Sequence, residues 1–267
     1  MTTIQYFMSQ DRRSEKRDCI DTERYSRQIR LDGIGTEGQK RIQDARVLVI
    51  GAGGLGSPVV LYLAGSGVGH ITIVDDDIVE VSNLHRQIGH SEKAAKDKTY
   101  KADSLREKAL SLNSSIECVA VRERLTEENV HALISKHDVI VDCCDNIPSR
   151  YVINDECVRQ GKCFVSGATQ RFSGQVTVYG HNHGPCFRCL YPSQPVTPDT
   201  AKYGAKLPIL APLPGVIGSL EAVEALKLIL HAGKTLEGRL LLYDGEEATT
   251  RILTLRGKSS SCPLSKP

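Results

Sequence analysis

No stretch of the 267-residue sequence approaches about 18 consecutive uncharged apolar residues, so no helix is expected to cross a membrane. The N-terminal residues are polar, densely charged from Asp11 to Asp18, and have no apolar run of signal-peptide length. Neither sign of charge dominates. Lys and Arg number 34 against 32 Asp and Glu, a net charge of +2, which argues against direct nucleic-acid coating and against a polybasic membrane anchor. Glycine (23) and proline (11) are ordinary for this length, which excludes collagen-like and compositionally disordered chains. No internal repeat and no second hydrophobic core is legible. Nine cysteines, an odd count with no secretory signal, make no disulfide framework. They read as reduced thiols of a soluble, cytoplasmic protein, some of them free to hold metal. With 40% hydrophobic residues, the chain is long enough to bury a substantial core.

The order of apolar runs predicts an α/β fold. Residues 46–50, 71–74, 139–141 and 163–165 are short, β-branched runs of the kind buried in parallel sheets, and 116–121 reads as a further strand. Helical stretches are expected at about 21–44, 58–65, 93–112, 127–136 and 149–160. Strand alternating with helix predicts right-handed βαβ units with helices on both faces. After Gly167 the pattern changes. Residues 175–179 alternate like an antiparallel strand, and 240–243 with 250–255 read as a late hairpin. A helix over 216–231 offers a wide apolar face through Ile217, Leu220, Val223, Leu226, Leu228 and Ile229. Six of the eleven prolines fall between Pro192 and Pro214, marking that segment as a functional loop rather than helix or central strand. The expected architecture is one Rossmann-like mixed sheet, parallel in its N-terminal half and antiparallel in its C-terminal strands.

Gly51, Gly53, Gly54 and Gly56 follow a strand and open a helix, and Asp75 ends the next strand 19 residues after Gly56. Such a turn lets backbone approach a phosphate, and an acid at the second strand's end is placed for ribose hydroxyls. Alone this indicates an adenine nucleotide, NAD among the candidates. The residues that follow are unusual for hydride chemistry: Asp75, Asp76 and Asp77, then Asn83, Arg86 and Gln87, then Lys98, and finally Asp142, Asp145 and Asn146 at the end of the third strong strand. In an open parallel sheet these strand ends face one crevice. Asp75, Arg86 and Asp145 are expected to converge there, with Lys98 reaching in from the neighbouring helix. Carboxylate, Arg and Lys around a glycine turn suit a magnesium triphosphate.

Arg24, Tyr25, Arg27 and Gln28, the glycine turn, the Ser82–Gln87 run, Asp142–Asn146, Gly174–Val176, Cys186-x-x-Cys189 and Gly215–Ser219 together resemble the ubiquitin-activating-type adenylyltransferases. The likeness is to the molybdopterin-synthase and thiamine-biosynthesis sulfur-carrier enzymes and their eukaryotic counterparts, and runs from about Glu23 to Leu255. The resemblance implies adenylation, with ATP and Mg2+, of the Gly-Gly carboxylate of a ubiquitin-like sulfur carrier, for molybdopterin, thiamine or tRNA thiolation chemistry. It implies that Asp75 binds ribose, that Asn83, Arg86 and Lys98 bind phosphates, and that Asp145 holds magnesium. Gln87 and Asn146 join the nucleotide set. Arg27 resembles an arginine that reaches the partner protomer's triphosphate, which implies a homodimer. Residues 21–258 would form a single adenylation domain with a proline-rich crossover loop over 190–214, flanked by a polar flexible tail (1–20) and a C-terminal tail (259–267) carrying a remnant zinc motif.

Two departures from the family pattern stand out. The family pairs Cys186 and Cys189 with a second Cys-x-x-Cys to bind zinc, but here Cys262 is followed by Ser265, a poor zinc ligand. Three readings stay open: His181 or His183 supplies a fourth ligand, the site is three-liganded and labile, or Zn2+ is lost. Many relatives also carry a crossover-loop cysteine, where this sequence has Gly204. With that thiol absent, and with the sequence ending at Pro267 before any rhodanese-like segment, the reaction is expected to stop at the adenylate and to rely on a separate sulfurtransferase. Cys19, Cys118, Cys143, Cys144, Cys157 and Cys163 read as structural or incidental. Two other functions compete: a catalytically inactive, nucleotide-binding relative that serves as a partner protein, and an NAD(P)-dependent oxidoreductase.

Overall fold

The computed structural model describes residues 20–180, 184–193 and 208–259, with Cys262 and Leu264. In strand β1 (Arg46–Ile50), Val47 and Val49 enter one apolar cluster while Leu48 and Ile50 enter another, so both faces are covered. The same holds for β2 (His70–Val74) and β4 (Val139–Asp142), as runs without polar alternation require. Together with β3 (Glu117–Val121), β5 (Phe164–Gln170), β6 (Ser173–Tyr179), β7 (Arg239–Asp244) and β8 (Thr249–Thr254), they form an eight-stranded sheet in the order β3-β2-β1-β4-β5-β6-β7-β8. Pairing is parallel from β3 to β5 and antiparallel from β5 to β8. The strand order reverses direction between β1 and β4. In open α/β sheets, ligands bind beside such a reversal, at the carboxyl ends of the strands.

Helices α1 (Ser26–Ile29) and α2 (Gly35–Asp44) precede the sheet, and α3 (Gly56–Ser66) follows β1. After β2 come α4 (Glu92–Lys96) and α5 (Lys101–Leu112), then α6 (Val130–Ser135), α7 (Ile147–Arg159), α8 (Phe187–Leu190) and α9 (Leu213–Leu230). Helices α2, α3, α5 and α9 pack on one face, and α6, α7 and α8 on the other. An aromatic group of Phe164, Tyr179 and Phe187 ties α8 to the sheet, with ring centroids 5.2 and 5.7 Å apart.

Three expectations change. The helix foreseen over 93–112 is broken into α4 and α5 because the intervening chain pairs with the run after β2: Val79 N–H donates to Thr99 O (2.9 Å) and Lys101 N–H to Asp77 O (2.8 Å). Lys98 therefore lies outside any helix, in a left-handed conformation at φ 51°. The foreseen helix over 21–44 is likewise two, separated by a turn containing Gly33 at φ 85°. Finally, α9 starts at Leu213 and takes Pro214 into its first turn, where a missing N–H costs no hydrogen bond. Its face is not purely apolar either. Val223 is exposed, whereas Glu221 and Glu224 are buried. Glu224 pairs with Lys227 and accepts from Leu236 N (2.7 Å); Glu221 fills the space left by the absent side chain of Gly167, whose Cβ would stand 2.5 Å from the Glu221 carboxyl carbon.

Candidate active site

The glycine turn is shaped by contact with β4. Gly51 adopts φ +100°, and a Cβ there would come within 2.6 Å of Cys143 O; a Cβ on Gly56 would lie 2.0 Å from Gly51 O. Only glycine lets the turn close against the end of β4. The N–H groups of Gly53, Gly54 and Leu55 have no acceptor among the described residues, which leaves donors free at the start of α3 for an anion.

Asp75 is bound into this turn. Its Oδ2 accepts from Ala52 N (2.7 Å) and its Oδ1 from Asp77 N (2.9 Å). A carboxylate has about four lone-pair positions, so two stay available for hydroxyl donors. Burial raises the Asp75 carboxyl above its ordinary value, opposed by the Ala52 hydrogen bond and by the charge of Lys101.

The Asn83–Gln87 segment crosses the turn. A Cβ on Gly54 would lie 3.6 Å from Arg86 O, and one on Gly53 would lie 3.4 Å from Gln87 Nε2. Gln87 is buried with its Oε1 unpartnered, while Asn83 donates to Glu80 at 3.3 Å. The side chains of Arg86, Lys98 and Asp145 have no hydrogen-bond or ion-pair partner among the described residues; Lys98 and Asp145 are exposed. Lys98 is tied to the acidic run through the Thr99–Val79 pair rather than through a helix. Asn146 uses its Oδ1 to cap α7, accepting from Ser149 N at 3.0 Å.

Arg27 stands apart. Tyr25 is buried, takes a hydrogen bond from Asn113 Nδ2 (2.9 Å) and packs on Gly67, while Gln28 Nε2 donates to Gln39 Oε1 (2.6 Å) and Ser66 O (3.2 Å). Those anchors put α1 at the far end of α3, about 16 Å from the glycine turn, with Arg27 exposed. It does not join the other residues within one chain.

Three supporting groups went unseen in the sequence. Lys101 is buried and bonds Asp77 Oδ2 (2.7 Å). His90 donates from Nε2 to Ala52 O, and its Nδ1 pairs with Ser104 Oγ. Beneath the Asp145 loop, Arg150 Nη2 donates to Cys144 O (2.8 Å) and Gly167 O (2.6 Å), and its guanidinium lies 3.6 Å from Asp142, all within the core. No local pattern advertises them, because each side chain bonds to a group distant in sequence or beyond its own helix.

The Sγ atoms of Cys189 and Cys262 lie 3.6 and 3.5 Å from that of Cys186. Thiolates around a tetrahedral zinc with ~2.3 Å bonds stand about 3.8 Å apart, so the three sulfurs fit a shared ion. Ser259 N donates to Cys189 Sγ at 3.4 Å. His181, His183 and Ser265, the fourth-ligand candidates, lie outside the described residues, as do Gly204 and Cys19. Burial raises the thiols of Cys118, to about 12, and of Cys143, Cys144, Cys157 and Cys163. Among the described residues no helix is long and apolar enough to cross a membrane.

The ThiF family model matches residues 25–264. The adenylyltransferase and sulfurtransferase MOCS3 of Culex quinquefasciatus is 47% identical over 239 residues, 90% of this chain and 54% of that protein. The MOCS3 protein of Mus musculus is 44% identical over 239 residues, 90% of this chain and 51% of that protein. The chain thus spans about half the length of the curated relatives it matches. Among solved structures, E. coli MccB with ATP superposes with a TM-score of 0.79 at 22% identity, covering 91% of this chain and 75% of that one; this is a likeness of fold. With the family match reaching from Tyr25 to Leu264, the chain belongs to the ThiF family.

Proposed function

We propose that residues 21–258 form one adenylation domain that activates the C-terminal Gly-Gly carboxylate of a ubiquitin-like sulfur carrier with ATP, for molybdopterin, thiamine or tRNA thiolation chemistry. A carboxylate oxygen of the carrier attacks the α-phosphorus. The new O–P bond forms as the bond to pyrophosphate breaks, leaving an acyl-adenylate. The observation that supports this most is the Asn83–Gln87 segment lying across a glycine turn whose Ala52 is bound by Asp75. It sets an arginine beside free N–H donors and a hydroxyl-accepting carboxylate, which suits a nucleotide triphosphate better than a dinucleotide.

In this reading Asp75 takes the ribose hydroxyls, the turn and Asn83, Arg86, Gln87 and Lys98 take the phosphates, and Asn146 orders the loop that presents Asp145. Attack by an anion on a polyanion is opposed by charge, so fixed cations lower the barrier with no general base. Asp145, an exposed oxygen donor without a partner among the described residues, suits Mg2+, which when bound neutralises triphosphate charge. Arg27, too far from its own glycine turn, would serve the site of a second copy, making the enzyme a homodimer with composite sites. Every described cysteine outside the Cys186 cluster is raised by burial, which disfavours a thiolate nucleophile and supports a reaction that ends at the adenylate.

Mass spectrometry of a Gly-Gly carrier incubated with the enzyme and Mg-ATP tests the activity: a mass gain of one AMP at the carrier terminus is expected, and an unmodified carrier across a panel contradicts it. For the metal, protein purified without chelator is expected to carry about one zinc per chain, lost to background in Cys186→Ser. Metal-free wild type with three titratable thiols at this cluster contradicts that assignment.

A further inference from the structure

Ala52 is the one residue of the glycine turn whose peptide groups are held on both sides. Its N–H goes to Asp75 Oδ2 at 2.7 Å, and its carbonyl accepts from His90 Nε2 at 2.8 Å. A carbonyl only accepts, so Nε2 must carry the proton. Burial lowers the His90 imidazole below its ordinary 6.5, which favours the neutral ring. The neutral ring then has a lone pair at Nδ1, and Ser104 Oγ, 3.0 Å away and buried on α5, donates to it. The result is a line of hydrogen bonds running from α5 through the ring to the turn that would receive the nucleotide.

The surroundings are built to keep the ring in place. Gly89 packs so closely that a Cβ there would lie 2.5 Å from Leu105 Cδ1 and 2.9 Å from Ser57 Oγ, which draws the His90 segment between α3 and α5. Ser57 Oγ in turn donates to Gly53 O (2.7 Å). On its outer side the ring borders a cavity of about 320 Å³ whose charged walls are Lys93, Asp97, Glu107 and Lys108, and Lys101 lies nearby on α5. Water from that cavity competes for the Ala52 carbonyl whenever the ring is displaced, so Ser104 matters by fixing the ring's orientation.

We propose that His90, oriented by Ser104, is a positioning residue of the nucleotide site: by holding the Ala52 carbonyl it sets the glycine turn and keeps the Ala52 N–H on the ribose-binding Asp75. It acts on ATP binding rather than on the chemical step. The inference rests on the nucleotide reading above and adds to it a residue that touches neither phosphate nor ribose.

Glutamine places an amide nitrogen where Nε2 stands, whereas asparagine reaches only the Nδ1 position, so the two replacements separate the donor from the bulk of the side chain. Titration of the 267-residue chain with Mg-ATP, with steady-state pyrophosphate exchange in parallel, is expected to show about a tenfold rise in Kd and KM for ATP in His90→Asn with kcat changed less than twofold. His90→Gln is expected to stay within about threefold of wild type. Ser104→Ala, which removes one hydroxyl on the far side of the ring, is the check if His90→Asn does not fold. There a two- to threefold rise in KM is expected, together with an imidazole 15N spectrum that changes from one Nε2–H tautomer to a mixture. Equal ATP affinity in wild type and His90→Asn, failure of glutamine to restore affinity, or an unmoved KM and tautomer in Ser104→Ala each overturn the proposal. Wild type that binds no ATP in the same titration overturns the nucleotide reading itself, a result distinct from the variant outcomes.

Discussion

Alanine at Lys98 or at Asp145 is expected to lower the rate of ATP–pyrophosphate exchange by about 10²–10³-fold while leaving the protein folded. Both side chains are exposed and without a partner among the described residues, so their removal takes away no internal bond. The Lys98 backbone sharpens the point. A lysine at φ 51° is in a region that disfavours a side chain by about 1 kcal/mol or more, yet the Thr99–Val79 and Lys101–Asp77 hydrogen bonds hold it there. Lys98→Gly relieves that strain at some entropic cost, so it is expected to lose no stability and to lose the exchange reaction as fully as Lys98→Ala. Wild-type exchange rates in Lys98→Gly, measured beside its thermal melt, contradict a phosphate role for this lysine.

Loss of the Arg150 guanidinium is expected to be the most destabilising single change near the site. Asp142 and Arg150 are both buried, 3.6 Å apart, with Ser166 Oγ donating to Asp142 at 2.8 Å. Arg150→Met leaves the carboxylate buried without its cation, at a cost of about 3–5 kcal/mol, and frees the Cys144 carbonyl that leads to Asp145. Urea unfolding at fixed protein concentration measures it, and a loss below about 1 kcal/mol contradicts the assigned role. Glu221 in the same core should respond in the opposite sense. Burial, reinforced by the Asp142 charge, raises its carboxyl well above 4.5, so the native state holds a proton that the unfolded chain releases above that pH. Its contribution to stability is therefore present below about pH 4.5 and falls as pH rises, by about 1.4 kcal/mol per pH unit, until Glu221 ionises in the native state. Glu221→Gln removes that slope, and the stability gap between the two proteins widens with pH.

Much of the sheet was legible because its central strands are β-branched runs bounded by glycine and acid, a signal that survives without knowledge of neighbours. Strand ends facing one crevice were the ground for expecting Asp75, Arg86 and Asp145 together; the hydrogen bond from Ala52 to Asp75 and the approach of the Arg86 carbonyl to Gly54 bring the first two to the glycine turn. What escaped was non-local. The break before Lys98 exists because residues 99–101 pair with 77–79, and helical periodicity has no term for a competing partner. Arg150 lies eight residues beyond Asp142 across a strand–helix turn, and the distance matters only once both are buried. Glu221 sits on a helix counted as apolar, and the space that admits it belongs to Gly167 on another element. His90 has no motif around it. Its role depends on a main-chain carbonyl 38 residues earlier.

The most direct measurement is ATP–pyrophosphate exchange by the wild-type chain, with Mg2+, in the presence of each of a panel of carriers ending in Gly-Gly. Incorporation of labelled pyrophosphate into ATP that depends on one or more carriers, and that disappears when the terminal glycine is removed, is the predicted result. ATP binding with no carrier-dependent exchange across the panel would contradict carrier adenylation and leave a nucleotide-binding partner protein as the better description.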